Sequence, residues 1–427
     1  MAHPPSTRPD APITTPAAGT GPRWLQITDP DDLPLQMRRC GFDPDPALTA
    51  LREGPGVTRV ENAFGMTSWL VTRQADVRRL LGDPEAFSNA WSPAQLNQEL
   101  AREVDPEQMQ ANRRGNLLAY DPPEHTRLRR MLTPEFTMRR MRRLEPRIVD
   151  IVETHLDAME TAGPPADLVA QFALPIPSLV ICELLGVPYE DREEFQHRTG
   201  RLLDISLPIE ERRGLQIESR AYMTRLVERA RRDPGEDMLG MLVREHGDDL
   251  EQAELVGIAG LLLIAGHETT SNMLGLGTLA LLRHPDQLAV VRDDPDSVPG
   301  AVEELMRWLS IVHSGAPRLA TRDVEIDGVT IPRGDLVAFA LPTANRDPEV
   351  YDHPDALDIG RGTMNHVGFG HGVHHCLGAP LARMEMRIAF PALLRRFPGL
   401  RLAVADDDVE FRSFHVVYGL RSLPVAW

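Results

Sequence analysis

Apolar residues recur every three to four positions along most of the chain, which predicts a mainly helical fold. Residues 147–161, 193–204 and 217–232 show this spacing, with polar residues on the opposite face. A longer helical pattern begins near Leu250. Another runs over 377–397, with Pro380 in its first turn, where a missing N–H group costs little.

Strand signals are few. Residues 324–331 alternate around Asp327-Gly328, which predicts a two-stranded hairpin. Residues 336–341 form a short apolar run typical of a buried strand, and 414–423 are interpreted as a second hairpin. No internal repeat is found. The predicted fold class is therefore mainly α with small β-sheets.

Composition narrows the function classes. The chain has 427 residues, 42% of them hydrophobic, enough for a large core. Its formal net charge of -17 argues against nucleic-acid binding. The three cysteines, Cys40, Cys182 and Cys376, form no C-x-x-C pair, so no disulfide framework is indicated and a reducing cytoplasm fits.

The N-terminal residues 1–22 are rich in proline, alanine and threonine and lack the apolar core of a signal peptide. We expect them to be a disordered tail, followed by a single domain over 23–427. The longest apolar run, 255–266, is far shorter than a membrane span, so no membrane association is expected.

The candidate chemistry is concentrated near the C-terminus, where residues 369–378 read F-G-x-G-x-H-x-C-x-G. Cys376 stands between glycine-rich turns at the start of a predicted helix. The positive end of a helix lowers the pKa of a thiol and stabilises its thiolate. The pattern therefore predicts a metal-binding thiolate, although most lone cysteines are inert packing residues.

This segment resembles the cysteine-ligand loop of the cytochrome P-450 family, specifically its soluble actinobacterial type. The resemblance implies a fold in which haem b lies between a long distal helix and a proximal cysteine loop. Cys376 would give its thiolate to the haem iron. Phe369 would shield the loop from water, and Gly370 and Gly378 would bring backbone N–H groups near the sulfur.

A second motif, Ala265-Gly-His-Glu-Thr-Thr270, places polar residues inside an apolar helix, which is costly unless they are used. The Thr269 hydroxyl can bond the Ala265 carbonyl, and Gly266 would allow the close approach of a flat group. A kinked core helix is the alternative interpretation. The resemblance implies that Thr269 holds dioxygen by a hydrogen bond and that Glu268 relays protons from solvent.

Glu304 and Arg307 form an E-x-x-R motif on one helix face. Alone it could be an ordinary surface ion pair; in this order along the chain it resembles the family's structural ion pair. The family's third member is an arginine, but Ala356 stands at that position here. Arg361 is a possible substitute.

Other residues are assigned through the resemblance. The haem propionates would be held by His125, Arg129, Arg318 and His374. A fixed guanidinium fork suits carboxylates. The substrate pocket would be lined by Trp91, Leu261, Ala265, Val312, His313 and Val416, with His313 or His415 as a polar anchor. A bulky apolar organic substrate is expected.

The predicted function is a cytoplasmic, monomeric monooxygenase that inserts one oxygen atom from O2 by hydroxylation or epoxidation, in secondary metabolism or xenobiotic oxidation. Electrons would come from NAD(P)H through ferredoxin and ferredoxin reductase. A peroxide-using enzyme is the alternative, disfavoured by the intact Glu268-Thr269 pair. A haem- or zinc-binding module without catalysis is the third possibility, but its histidines are crowded on one loop.

A basic segment suggests where ferredoxin binds. Eight arginines and two glutamates lie between Arg127 and Arg147 in this acidic chain. A solvated helix face is the ordinary explanation. Because Arg129 is assigned to a propionate, however, the segment would lie beside the haem. Arg130, Arg139 and Arg142 are the predicted docking residues for an acidic ferredoxin.

Overall fold

The computed structural model describes residues 27–61, 67–91, 106–192, 198, 200–362 and 365–427. The tail predicted over 1–22 lies outside these residues, as does much of the helix predicted over 193–204. The single domain over 23–427 stays a prediction. Within the described residues, helices dominate and the sheets are small, so the predicted fold class is confirmed.

The α-helices are α1 Pro46–Glu53, α2 Gln74–Leu81, α3 Pro106–Arg113, α4 Glu124–Leu132, α5 Met138–Ala162, α6 Pro175–Leu185, α7 Ile209–Arg232, α8 Met238–His246, α9 Gln252–Arg283, α10 Pro285–Asp293, α11 Val298–Leu309, α12 Leu341–Ala344 and α13 Ala379–Arg396. The strands are β1 Arg39–Cys40, β2 Asp43–Pro44, β3 Val57–Glu61, β4 Thr67–Val71, β5 Phe87–Ser88, β6 Ala166–Asp167, β7 Arg318–Ala320, β8 Val324–Ile326, β9 Val329–Ile331, β10 Leu336–Phe339, β11 Arg401–Leu402 and β12 Pro424–Ala426.

The central helix is α9, which spans 32 residues and is buried along most of its length. A capping box starts it: the Glu251 backbone N–H donates to the Glu254 carboxylate at 2.9 Å. α9 packs against α6, α7 and α13. At Gly277 a side-chain carbon would lie 2.5 Å from Phe390 of α13. Glycine therefore lets the two helices that carry most of the candidate chemistry approach closely.

The largest sheet has five strands in the order β3-β4-β10-β7-β5. β10 runs parallel to β4, with Leu336 opposite Ser68, and antiparallel to β7. The strand predicted at 336–341 is thus confirmed, although it ends at Phe339 and α12 begins at Leu341. This sheet fixes the position of β7, whose first residue is Arg318.

The predicted hairpin at 324–331 is also confirmed, with Ile326 opposite Val329. Its turn residues Asp327 and Gly328 have φ of +49° and +77°. Two successive positive φ angles give a turn whose twist matches that of the strands, which explains the Asp-Gly pair.

The second hairpin, predicted over 414–423, is shifted toward the N-terminus. Phe411 and Leu420 form an antiparallel bridge, and the Arg412 N–H donates to the Gly419 carbonyl at 2.8 Å. Between them the chain forms single bridges from Val417 to Val312 and from His415 to Asp204. Residues in the middle of this segment bond backbone groups that are far away in sequence: the Val416 N–H donates to the Leu203 carbonyl at 3.0 Å. The regular strand is β12, which pairs with β6 and β11.

No helix among the described residues is both long and apolar enough to cross a bilayer.

Candidate active site

The loop before α13 presents Cys376. Gly370 and Gly372 both have φ of +72°, in the left-handed region that favours glycine. At Gly372 an added side-chain carbon would lie 2.4 Å from the Leu81 carbonyl oxygen, so no other residue fits without a shift. The Cys376 N–H donates to the Phe369 carbonyl at 2.9 Å. The loop therefore delivers the cysteine to the N-terminal end of α13, as predicted.

Two effects compete at the Cys376 thiol. Burial raises its pKa, whereas the backbone N–H groups of Gly378 and Ala379 and the charge of Arg129 lower it; the net shift is upward. Cys376 is nonetheless accessible to solvent. A thiol on the wall of an interior cavity is both surrounded by protein and accessible, which accounts for the raised pKa and for the exposure. A thiolate there is stabilised by a positively charged partner such as a metal ion.

A buried ion-pair network supports the cysteine loop. The Arg383 guanidinium lies 4.4 Å from the centre of the Phe369 ring and donates to Glu303 at 2.6 and 2.8 Å. His366 Nε2 is 3.1 Å from the same carboxylate. Burial raises the pKa of Glu303, but the bonds from Arg383 and His366 outweigh it and hold the pKa at about 2. The Glu303–Arg383 pair carries no local sequence signal, because its members stand 80 positions apart.

Four basic residues converge near the thiol. The rings of His125 and His374 lie 4.2 Å apart, and the positive charges of Arg129 and Arg318 act on both histidines. Burial, Arg318, His125 and Arg129 lower the pKa of His374 to about 3. Burial also lowers the pKa of Arg318 to about 10. The structure thus brings together all four predicted propionate residues.

Their hydrogen-bonding capacity is largely unused by the described protein atoms. Both ring nitrogens of His125, Nδ1 of His374, and Nε and Nη1 of Arg318 are buried without a hydrogen-bond partner. The nearby carboxylate of Asp121 already accepts from Ser88 and Asn89. Buried polar groups rarely lack partners, so this cluster is suited to anionic groups such as two carboxylates.

On α9, the Thr269 hydroxyl donates to the Ala265 carbonyl at 2.7 Å, as predicted, and Ala265 is exposed although most of the helix is buried. At Gly266 an added side-chain carbon would lie 2.8 Å from Ile181 of α6. Gly266 therefore permits the close packing of α9 and α6, and the approach of a flat group there stays a prediction.

Glu268 is buried and turned toward the C-terminal loop. Its Oε2 accepts from Arg412 at 3.2 Å, and Nε2 of His415 is 3.7 Å away. Burial raises the pKa of Glu268, but His267, His415 and Arg412 together lower it below its usual range. Glu268 is therefore held as a carboxylate. Arg412 was missed because it is 144 positions away and carries no local signal.

The E-x-x-R pair is buried and its third member is present. Arg307 donates to both Glu304 oxygens at 2.8 Å. Arg361 donates from Nε to Glu304 at 3.3 Å, in the place expected for the family's downstream arginine. Ala356 contributes its backbone carbonyl, which accepts from Arg307 at 3.0 Å. Arg361, which the sequence offered as a substitute for the arginine missing at position 356, is thus bonded to Glu304 in the structure.

The predicted pocket residues divide into two groups. Trp91, Leu261 and Val312 retain partial exposure, and Val416 is 44% exposed. His313 is only 1% exposed, with its ring packed edge-on against Tyr418 at 5.6 Å. The polar-anchor role of His313 stays a prediction. The extended chain there directs Val312 and His313 to opposite sides.

The three predicted docking arginines Arg130, Arg139 and Arg142 are exposed, and none forms an ion pair with another described residue. Other arginines of the segment are neutralised: Arg140 pairs with Glu135 at 2.9 Å, and Arg147 pairs with Glu183 at 3.0 Å. The uncompensated charge therefore lies on exposed positions of α4 and α5.

A cysteine whose thiolate needs a cation, beside a basic cluster suited to two carboxylates, meets the chemical requirements of a haem-thiolate protein. Comparisons with known proteins agree. The family model for Cytochrome P-450 matches residues 215–401. Cytochrome P-450 FAS1 of Rhodococcoides fascians is 50% identical over 93% of this chain and 99% of its own length. The chain belongs to the cytochrome P-450 family, whose members are haem monooxygenases.

Two further relatives are named for a product or for a biosynthetic pathway. Pentalenic acid synthase of Streptomyces avermitilis is 45% identical over 92% of this chain and 96% of its own length. The solved structure of P-450 StaH, from biosynthesis of the glycopeptide antibiotic A47934, has a TM-score of 0.83 and 44% identity. It covers 92% of this chain and 100% of its own. The family fold is therefore shared along most of the chain.

Proposed function

We propose that this chain inserts one oxygen atom from O2 into a bulky, largely apolar organic molecule, by hydroxylation or epoxidation, in secondary metabolism. The observation that carries the proposal is the Glu268–Thr269 pair, a charged buried acid next to a hydroxyl beside the exposed Ala265. The names of the pentalenic acid and glycopeptide relatives support a biosynthetic role.

The residues present fit haem b. Cys376 would bind its iron through the thiolate, and His125, Arg129, Arg318 and His374 would hold its two propionates. Nitrogen atoms of His125, Arg318 and His374 are buried without a hydrogen-bond partner among the described residues. Phe369, Gly370 and Gly378 would maintain the loop that presents the sulfur, and Ala265 would line the opposite face. Bound haem supplies the oxygen chemistry, while the protein binds, orients and delivers protons.

The chain's own residues account for proton delivery. Glu268 stays ionised, so it can take up a proton from water and release it toward Thr269. The Thr269 hydroxyl can exchange its bond to the Ala265 carbonyl for one to O2. A peroxide-using enzyme has no need of this pair, because its oxidant already carries the protons.

Electrons would come from NAD(P)H through ferredoxin reductase and an acidic ferredoxin. Arg130, Arg139 and Arg142 are exposed and form no ion pair within the described part of the chain. They support this partner because a positive patch orients an acidic carrier. The substrate would contact Leu261, Val312 and Val416, whose side chains are apolar, with Trp91 at the pocket edge.

The test combines spectroscopy with turnover. A screen of terpenoids, polyketides and peptides for a substrate-induced shift of the haem spectrum should yield a binder. That binder should then be oxygenated with O2, NADPH, ferredoxin and reductase, with the label from 18O2 in the product. A reduced carbon-monoxide spectrum without thiolate character would overturn the haem-thiolate assignment. Turnover with peroxide but not with O2 would establish the alternative.

A further inference from the structure

The Glu268 carboxylate is connected to the protein surface by a polar route through the C-terminal loop. The Arg412 side chain is 23% exposed and Glu268 only 1%, yet Arg412 Nη1 lies 3.2 Å from Glu268 Oε2. The other amino group of Arg412 donates to the Gly200 carbonyl at 3.5 Å. Arg412 therefore spans from the buried acid to solvent, held at its inner end by two long contacts.

His415 forms the second wall of this route. Its Nδ1 lies 2.8 Å from the Val417 carbonyl oxygen and its Nε2 lies 3.0 Å from the Gly200 carbonyl oxygen. Its ring is thereby fixed at both nitrogens, 3.7 Å from Glu268 Oε2. The charged or titratable groups facing Glu268 are thus His267 on its own helix and Arg412 and His415 on the C-terminal loop.

A recess of about 50 Å³ opens where these side chains reach the surface. It is lined by Asp204, Arg412, Phe414, His415 and Arg421. A water molecule occupies about 30 Å³ in the liquid, so the recess holds one or two. Four of the five lining side chains are polar, and Arg412 and His415 lie both at this recess and beside Glu268. The remaining oxygen of Glu268, Oε1, is buried without a hydrogen-bond partner among the described residues.

We propose that Arg412 and His415 are positioning residues that hold Glu268 at the inner end of this recess, so that protons reach Thr269 from the side of the C-terminal loop. The inference rests on the proposed function. In one cycle, displacement of Arg412 exposes Glu268 Oε2 to recess water. An O–H bond of that water breaks and one on Glu268 forms. Glu268 then passes the proton toward Thr269 and is a carboxylate again, while bulk solvent reprotonates the hydroxide.

The test compares Arg412→Gln, Arg412→Lys and the control Arg421→Gln, whose arginine lines the same recess but faces Glu410 at 3.8 Å. The first readout is the infrared band of a protonated carboxyl in the resting holoenzyme, followed between pH 5 and 9. We expect this band to appear on acidification in Arg412→Gln. Its absence from Arg412→Gln/Glu268→Gln would assign it to Glu268. Wild type, Arg412→Lys and Arg421→Gln should lack it.

The second readout is oxygen activation with substrate, in H2O and in D2O. Arg412→Gln should slow this step about tenfold, a part of the 10²–10⁴ range of general acid catalysis. The solvent isotope effect should rise, and Arg412→Lys should restore both. If Arg412→Gln shows neither the band nor a changed isotope effect, the proposal is wrong. If the band appears but no variant oxygenates any substrate, the positioning holds and the proposed function fails.

Discussion

The Arg383 guanidinium stacks on the Phe369 ring at 4.4 Å while its Nε and Nη2 donate to the two oxygens of the buried Glu303. One side chain thus links α11 to the loop that presents Cys376. A cation over an aromatic face is attracted to the ring, more strongly when both are shielded from water. The position of the cysteine loop therefore depends on a carboxylate that lies outside it.

Glu303→Gln should lower the free energy of unfolding by about 3 kcal/mol at pH 7, since its pKa is held near 2. The folded-state pKa is below the unfolded one, so this contribution is complete above about pH 4.5. It is lost as the pH falls toward 2. Urea unfolding from pH 8 to about pH 3 should show a difference in unfolding free energy between wild type and variant that is constant down to about pH 4.5 and narrows below it. The exposed Glu325→Gln should stay within about 0.5 kcal/mol of wild type at every pH.

Arg361→Gln should cost about 1–3 kcal/mol, because it removes a charged hydrogen bond to the buried Glu304. It also frees the Asp352 carbonyl, which now accepts from Arg361 at 2.5 Å. Urea unfolding measures the loss. Arg322→Gln, which breaks an exposed pair with Asp83, should cost at most about 1 kcal/mol. Equal costs for the two variants would show that Arg361 is not the third member of the buried network.

Cys376→Ser should abolish oxygenation and the thiolate-type spectrum of the reduced, carbon-monoxide-bound protein. A hydroxyl is not deprotonated at neutral pH and offers no soft anionic ligand. Cys40→Ser is the matched control, because Cys40 is also exposed but lies on β1. Retention of the thiolate-type spectrum in Cys376→Ser would refute the ligand assignment.

Thr269→Ala should bind substrate as wild type does but release peroxide in place of product. The hydroxyl directs protons and adds little to the pocket wall. The ratio of product formed to NAD(P)H consumed measures this coupling. Thr278→Ala is the control, since Thr278 makes the same kind of bond on the same helix, to the Leu274 carbonyl at 2.8 Å. An unchanged ratio in Thr269→Ala would remove the proton-delivery role.

Reversing Arg130, Arg139 or Arg142 to glutamate should slow reduction by ferredoxin, with the largest effect at low salt. Stopped-flow reduction at several ionic strengths tests this, and substrate affinity should stay unchanged. Arg333→Glu is the control: that arginine is exposed on the turn after β9, away from α4 and α5. Rates insensitive to salt and to all three reversals would place the docking surface elsewhere.

Sequence alone predicted the elements whose signal is local. The Asp327-Gly328 turn, the long α9 and the helix after Cys376 follow from turn chemistry and periodicity, and the structure has each of them. The hairpin predicted over 414–423 is shifted, because only its C-terminal half pairs locally, with residues 410–412, and its other backbone partners, near 203 and 312, are distant in sequence. Alternating apolar residues indicate an extended chain but not its partner.

The residues of the candidate site also divide into those with a local sequence signal and those without one. Cys376 and the Glu268-Thr269 pair carry recognisable motifs, whereas Glu303, Arg383 and Arg412 act through contacts 80 or more positions apart. The role of His313 stays a prediction, because an extended segment turns neighbouring side chains to opposite sides and the sequence does not reveal which side faces the pocket.

The Glu304 network shows that a charge can be kept in place while its residue changes position along the chain. Arg361 supplies the guanidinium from five positions beyond Ala356, whose own backbone still serves the network. The interaction with Glu304 depends on where the guanidinium lies in the fold and not on its position in the sequence. A relative that lacks the arginine at the usual position can therefore still have the interaction. A search for it should start from the glutamate of the E-x-x-R motif.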